Sequence, residues 1–329
     1  MRLMIAVADS FASDAREFWR RQLPVGLELF FPDEDGWSQA AVLVSKRAVV
    51  DAELLRLLPD VRLVQQVGRF PTFIDLAECR KRGVSVATWP LESRITVAEH
   101  AMALMLGVAR SLAVGDRDTR SGAYREKGIK PVRTSETVIA WNWMALPVVE
   151  LFAKNLGLLG AGEIGCEVAM RARAFGMRVS YYNRTRLPER WERQLELNYA
   201  PLNDLLAQSD FVSLHLPHNT ETEGFMGRAK FERMKSGSVF INTARGGIVD
   251  EDALVEALQS GRLRGAGLDV FVEEPLPAGH RLLSLHNVLF SPHIGGGQLG
   301  GLAADLKRLF CLLGEGGHGS FVVGAIDFN

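Results

Sequence analysis

A chain of 329 residues with 38 Lys and Arg against 39 Asp and Glu is close to neutral. That balance excludes the strong positive field expected of a protein that grips nucleic acid or an anionic membrane surface. Hydrophobic and charged contents of 47% and 23% are those of a globular protein, long enough for two domains with separate cores. The three cysteines, Cys79, Cys166 and Cys311, show neither metal-type nor C-x-x-C spacing. They read as buried thiols of a reducing compartment, and no metal site is expected.

The opening run Met1–Val7 is too short for a secretion signal and reads as a first β-strand over 2–7. A helix is predicted from Ser13, as N-cap, to Gln22, followed by strands at Glu28–Phe31 and Ala41–Ser45. A helix over Asp51–Leu58 stops at Pro59, and a strand covers Val61–Val67. A helix over Ile74–Arg82 is closed by Gly83, and a strand follows at Val84–Thr88. Such alternation predicts a parallel sheet covered on both faces.

From Thr96 an apolar helix runs to about Leu112. Its core, Val97–Val108, is interrupted by Glu99 and His100 and is far too short to span a bilayer, so a cytoplasmic protein is expected. Ala113–Pro147 breaks the pattern: it is polar, rich in Arg, Lys, Gly and Thr, and carries Trp141 and Trp143 near its end. A structureless stretch of this length packs on something, either its own domain or, as a reaching arm, a second subunit.

The apolar run Leu156–Leu159 then leads into Gly160, Gly162 and Gly165, spaced G-x-G-x-x-G, and into a helix stopped by Gly176, with a second strand over Met177–Asn183. The first glycine permits the tight turn, the second lets a pyrophosphate approach the backbone, and the third lets helix pack on strand. N–H groups at the helix start, from Glu163, Ile164 and Gly165, hold the anion. Further strands read at Asp210–Leu216, Ser238–Asn242, Gly265–Val270 and Val288–Ser291. Helices read at Leu202–Gln208, Ala229–Met234 and Glu251–Ser260, with Gly261 as stop. This is a second doubly wound unit. The last helix, Leu299–Leu313, and the tail are expected to return to the first domain, and the cofactor to lie in the cleft between the domains.

Three short motifs each follow a predicted strand: Ile241–Gly247, Gly267–Pro275 and Ser291–Gly296. In an open parallel sheet the carboxyl ends of strands share one crevice, so Arg245, Glu274 and His293 are expected to converge there. Reduction of a 2-oxo acid needs a proton donor at the carbonyl oxygen, a hydride at the carbon and a cation at the carboxylate. Histidine suits proton exchange near neutrality. Glu274 would stabilise the imidazolium and fix its tautomer, and Arg245 would bind the carboxylate and polarise the carbonyl.

Taken together, these motifs resemble the D-isomer-specific 2-hydroxyacid dehydrogenases over nearly the whole chain. The resemblance implies two doubly wound α/β domains. One is a Rossmann dinucleotide-binding domain over 96–293 with the arm at about 113–147. The other is a smaller, discontinuous, flavodoxin-like substrate domain from 1–95 plus 294–329. It implies Arg245, Glu274 and His293 as the catalytic set, with His293 as acid/base. It also implies that Asp269 and the Thr243–Ala244 backbone hold the nicotinamide carboxamide, that His215, Leu216 and Pro217 flank the adenosine half, and that Thr222 and Gly295 belong to the cofactor site. Family members are commonly homodimers through the nucleotide domain, which favours the reaching arm.

Two departures bear on specificity. Where NAD-preferring members place an acid at the end of the second strand, this chain has Asn183, followed by Arg184, Thr185 and Arg186. Two arginines and no acid suit a 2′-phosphate, so NADP(H) is expected, with NAD(H) as the alternative. The segment Val67, Gly68 and Arg69 matches the family's carboxylate-binding turn, but Arg69, Phe70 and Phe73 are bulky for it. An inward Arg69 would bind a second acidic group; inward phenylalanines would take an apolar tail. Two other readings stand beside the 2-oxo acid reductase: a dehydrogenase of another small anion, of formate or phosphite type, and a dinucleotide-sensing corepressor-like protein.

Overall fold

The computed structural model describes residues 2–71, 73–297 and 301–315. The chain divides into two compact units, Met1–Ile95 with Gly297–Asn329 and Thr96–Gly296. In the smaller unit the order is β1 (Leu3–Val7), α1 (Ser13–Arg20), β2 (Leu27–Phe30), β3 (Val42–Ser45), α2 (Ala52–Arg56), β4 (Leu63–Val67), α3 (Leu76–Lys81) and β5 (Ser85–Trp89). The five strands lie in the order β2-β1-β3-β4-β5 and all pair in parallel. This is the flavodoxin-like order. Neighbouring residues serve opposite faces: Ala6, Leu43 and Val64 enter one core, whereas Ile5, Val7, Val42 and Val44 enter the other. Covering both faces explains why the strands read as continuous apolar runs.

Aspartates start two of these helices. Asp51 accepts the Glu53 and Leu54 N–H groups at 2.9 Å, and Asp75 accepts that of Glu78 at 2.9 Å. The expected cap at Ser13 is different: Ala12 occupies the cap position without a side-chain bond, and Ser13 is the first helical residue.

In the larger unit, α4 (Glu92–Ala109) brings the chain in, followed by α5 (Leu112–Ser121). The sheet is then built from β6 (Asn155–Leu159), α6 (Glu163–Ala174), β7 (Arg178–Tyr182), α7 (Glu189–Leu195), β8 (Asn198–Tyr199), α8 (Leu202–Gln208) and β9 (Phe211–Leu214). It continues with α9 (Arg228–Arg233), β10 (Ser238–Asn242), α10 (Glu251–Gln259), β11 (Leu263–Leu268) and β12 (Val288–Phe290). The seven strands run β12-β11-β10-β9-β6-β7-β8, all parallel, the doubly wound Rossmann order with one strand added. Strand order reverses between β6 and β9, and that switch point is where such sheets take their ligand. One face is a core of Leu214, Phe231, Phe240 and Leu254 with their neighbours. The last helix, α11 (Gly301–Glu315), belongs to the smaller unit, where Leu306, Leu309 and Phe310 enter the core beside Trp19. The tail beyond residue 315 lies outside the described residues.

Two expectations need correction. The long helix starts at Glu92 and ends at Ala109, because Ser111 takes a left-handed backbone with φ 52° and its hydroxyl donates to the Pro147 carbonyl at 2.7 Å. The arm is also less irregular than its composition suggests. It contains α5, supported by the Arg120–Asp116 pair at 2.9 Å, and a 3-10 turn at Ala123–Arg125. Trp143 stacks edge-on against Tyr124 at 5.7 Å, while Trp141 is 77% exposed. Among the described residues no single helix is long and apolar enough to cross a membrane. Only α4 and α5 taken together, across a 57° bend, meet that test.

Candidate active site

The glycine loop after β6 has the conformation its spacing predicts. Gly160 has φ +102°, and a Cβ there would lie 2.6 Å from the His215 carbonyl oxygen. At Gly165 a Cβ would lie 2.1 Å from the Gly160 carbonyl oxygen, so only glycine lets α6 close on the strand. A Cβ at Gly162 would meet nothing within 4 Å. The first helical bond runs from Cys166 N–H to the Gly162 carbonyl, placing the amides of Glu163, Ile164 and Gly165 ahead of the helical ladder. An exposed Gly162 at a helix start with open space in front of it fits a dinucleotide phosphate.

The segment after β7 is built from ion pairs. The Asn183 side-chain oxygen accepts the Ala161 N–H at 2.7 Å, tying this segment to the glycine loop. Arg184 is 80% exposed and pairs with Glu221. Thr185 is exposed. Arg186 forms a two-pronged bond to Glu192, Nε to Oε1 at 2.8 Å and Nη2 to Oε2 at 2.7 Å, and its guanidinium lies 5.5 Å from the Tyr199 ring centre. Glu192 also accepts the buried Tyr181 hydroxyl at 2.6 Å. The Arg186 bonds, then the Tyr181 hydroxyl, hold the Glu192 carboxyl down at about 2 despite its burial. Burial, then the Glu192 carboxylate, pushes the Tyr181 phenol well above its ordinary range.

After β9, His215 turns its Nε2 to the Ser213 hydroxyl at 2.8 Å, and burial pushes its imidazole down to about 3, so it stays neutral. Leu216 packs beside Gly160, and Pro217 is exposed. The Thr222 hydroxyl donates to the Pro217 carbonyl at 2.6 Å and so shapes this loop. After β10, the buried Thr243 hydroxyl has no hydrogen-bond partner among the described residues. That orphan is the kind of group a bound carboxamide would satisfy. The Ala244 N–H donates to the Asn242 side chain at 3.0 Å.

Arg245, Glu274 and His293 come together at the same edge of the larger unit, from the loops after β10, β11 and β12. Arg245 is exposed, with Nη1 donating to the Ala244 carbonyl at 2.5 Å. The Glu274 Oε1 atom accepts the Phe271 N–H at 3.0 Å, and Oε2 lies 2.6 Å from His293 Nδ1. Burial works to raise the Glu274 carboxyl. The His293 bond, the Phe271 amide and the charges of His293 and Arg245 outweigh it and hold the carboxyl below its ordinary value. An ionised carboxylate only accepts, so Nδ1 carries the proton and Nε2 is left for substrate.

Beneath this pair lies Asp269, which is 1% exposed. Its Oδ1 accepts the Ser291 hydroxyl at 2.6 Å and the Ile294 N–H at 3.0 Å, and its Oδ2 accepts the Gly295 N–H at 2.9 Å. His100 Nε2, from α4, lies 3.1 Å from Oδ1 and 2.7 Å from Ser291 Oγ. These bonds keep Ile294–Gly296 with the larger unit, so the smaller one resumes at Gly297 rather than 294. The structural role of His100 escapes a chain-order reading, although a lone polar ring inside an apolar helix already asks for a partner.

In the smaller unit, Gly68 exchanges backbone bonds with Trp89: its N–H donates at 2.8 Å and its carbonyl accepts at 3.1 Å. Val67 pairs with Trp89 in the sheet. The Gly68 amide is therefore engaged by Trp89, next to Arg69.

A family model for the D-isomer specific 2-hydroxyacid dehydrogenase, NAD binding domain, matches residues 102–295. A glyoxylate reductase of Korarchaeum cryptofilum is 39% identical over 244 residues, 74% of this chain and 69% of that one. Among solved structures, a glyoxylate reductase from Paecilomyes thermophila has a TM-score of 0.56 at 29% identity, covering 95% of this chain and 93% of that one. A D-lactate dehydrogenase from Aquifex aeolicus, complexed with NAD and lactic acid, has a TM-score of 0.54 at 26% identity and covers 94% of each. With the match spanning more than half of the chain, and the glycine loop and switch point in place to receive a nicotinamide cofactor, the chain belongs to the D-isomer-specific 2-hydroxyacid dehydrogenase family and is an oxidoreductase.

Proposed function

We propose that the protein reduces a small 2-oxo acid to the D-2-hydroxy acid with NADP(H) as preferred cofactor. The observation that carries this reading is the 2.6 Å His293–Glu274 pair at the strand ends that also present Arg245. When bound, the nicotinamide supplies the hydride. His293, its Nδ1 proton fixed by Glu274, offers the Nε2 proton to the carbonyl oxygen as it gains charge. Arg245 binds the carboxylate and polarises the carbonyl. Val67, Gly68 and Arg69, in the smaller unit, are proposed as substrate-binding residues.

Preference for NADP(H) is supported by the absence of an acid at Asn183 and by the exposed Arg184. Exchanging the Glu221 carboxylate for a 2′-phosphate costs little at the surface. The arm is proposed to seat on a second copy in a homodimer, supported by exposed Ile139 and Trp141, both 77% accessible. Three cysteines that form no disulfide support a cytoplasmic location.

The test is NADPH and NADH oxidation, followed by absorbance, against glyoxylate, hydroxypyruvate, pyruvate, phenylpyruvate and oxaloacetate. Turnover that is faster with NADPH on at least one of them is expected. Silence across the panel with intact cofactor binding overturns the reading.

A further inference from the structure

His293 sits in a backbone conformation uncommon for a residue with a side chain. Its φ is +54°, in the left-handed region that L side chains rarely adopt. Something outside the turn must hold it there. The three successive amides of the turn all donate to one residue: His293 N–H to the Asp269 carbonyl at 2.9 Å, and Ile294 and Gly295 N–H to its two carboxylate oxygens. Asp269 is thus a clamp on the turn that aims the acid/base imidazole.

The clamp is itself oriented from α4. The Ser291 hydroxyl has a single proton, which at 2.6 Å goes to the Asp269 carboxylate. Its lone pair is then left to accept from His100, whose Nε2 stands at 2.7 Å, so that the network assigns the His100 proton to Nε2. That N–H is shared between Ser291 Oγ and Asp269 Oδ1. The ring also packs on the turn: a Cβ at Gly295 would lie 2.9 Å from Asp269 Oδ2 and 3.3 Å from His100 Cδ2. A buried carboxylate with every oxygen engaged is stiff, and removing His100 takes one of three donors from Oδ1 and loosens that side of the clamp.

We infer that His100 is a positioning residue for the reduction, acting through Asp269 and Ser291 to hold His293 where its proton meets the carbonyl oxygen. It touches neither substrate nor cofactor in this scheme. The inference rests on the reading of His293 as acid/base.

The experiment compares His100→Ala, His100→Gln and Ser291→Ala with wild type and His293→Ala, on the best 2-oxo acid of the panel. Rates are expressed per cofactor-binding site counted by NADPH fluorescence titration. His100→Ala is expected to lower kcat on the order of 10- to 100-fold, the scale for a displaced catalytic group. KM for the oxo acid is expected to stay within about twofold, because Arg245 is untouched. His100→Gln, which keeps an N–H near the Nε2 position, recovers most of kcat. A purely structural role would lower the number of sites and the melting temperature while leaving kcat per site unchanged, and that result overturns the inference. A loss of kcat that glutamine does not restore overturns it too. If His100→Ala yields no folded protein, Ser291→Ala decides: an unchanged kcat per site refutes the relay. A silent wild type, or an active His293→Ala, removes the functional reading and this inference with it. Normal behaviour of both controls beside an unaffected His100→Ala removes the inference alone.

Discussion

Glu192→Gln takes one negative charge out of the cluster after β7 while keeping the shape of the side chain. In the folded protein the Arg186 fork and the Tyr181 hydroxyl hold this carboxyl at about 2, against an ordinary value of 4.5. A lowering of that size corresponds to at most about 3.4 kcal/mol of folding stability. The Arg186 side chain is 62% exposed, so solvent screening reduces the expected loss to about 1–2 kcal/mol, or roughly 2–8 °C in Tm for a domain of this size. The sign follows from the depressed carboxyl. Its stabilisation is complete above the unfolded value and fades as pH falls from about 4.5 toward 2, halving near roughly pH 3.2. The stability difference between wild type and variant is therefore largest at neutral pH and shrinks in acid. Urea unfolding at pH 7 and pH 3.5 measures it, with a parallel NADPH and NADH titration at pH 7. With one negative charge removed from the segment proposed to meet a 2′-phosphate, NADPH affinity is expected to rise about threefold while NADH affinity holds. A stability difference that does not depend on pH, or NADPH binding that weakens, refutes the argument; the latter would mean that the fork presents Arg186 to the phosphate.

Other substitutions separate the parts of the site. His293→Ala is expected to lower kcat by on the order of 10²- to 10⁴-fold with cofactor affinity intact, measured by steady-state rates and fluorescence titration. In wild type, reduction should fall and the reverse oxidation rise with increasing pH, and His293→Ala should flatten both profiles. Arg184→Ala should raise KM for NADPH by about tenfold and leave NADH unchanged, since it removes a charge partner of the 2′-phosphate alone. Gly162→Ala and Gly165→Ala should part company. The former has open space and should keep its Tm but lose cofactor binding, while the latter would set a methyl 2.1 Å from a carbonyl oxygen and should fail to fold normally, as circular dichroism would report.

The glycine loop and most strands could be read from sequence because their causes are local. A strand buried on both faces needs an apolar run, and a phosphate turn needs glycine at fixed offsets. Ser238–Asn242 and Leu202–Gln208 appear in the structure with the bounds their patterns suggest. What escaped depends on partners far along the chain. The break between α4 and α5 is set by the Pro147 carbonyl, 36 residues beyond Ser111. α7 and β8 are short and polar, and their order comes from Tyr181, Glu192 and Tyr199 meeting across the sheet edge. Arg186 reads as a second phosphate ligand from sequence, and the carboxylate that pairs with it stands on the helix that follows. Likewise the spacing at Val67–Arg69 could not reveal that Trp89 takes the Gly68 amide.

The two carboxylates near His293 divide the work for a physical reason. Asp269 is buried and accepts donors on both oxygens, two of them backbone amides that cannot leave, so it acts as a fixed anion and defines the turn. Glu274 is partly open to solvent, with a side chain 35% exposed, and has the Phe271 amide on one oxygen and the imidazole on the other. Only the second arrangement tolerates a partner whose charge changes during each turnover. When the imidazole gives up its Nε2 proton, Glu274 loses a cation but keeps the Phe271 amide, the neutral Nδ1–H and its exposure to solvent. Exchanging the roles would leave a dry, unpaired anion at every proton transfer, adding the desolvation of that charge to the barrier. The left-handed turn at His293 brings the imidazole to the exposed carboxylate while its backbone stays fastened to the buried one.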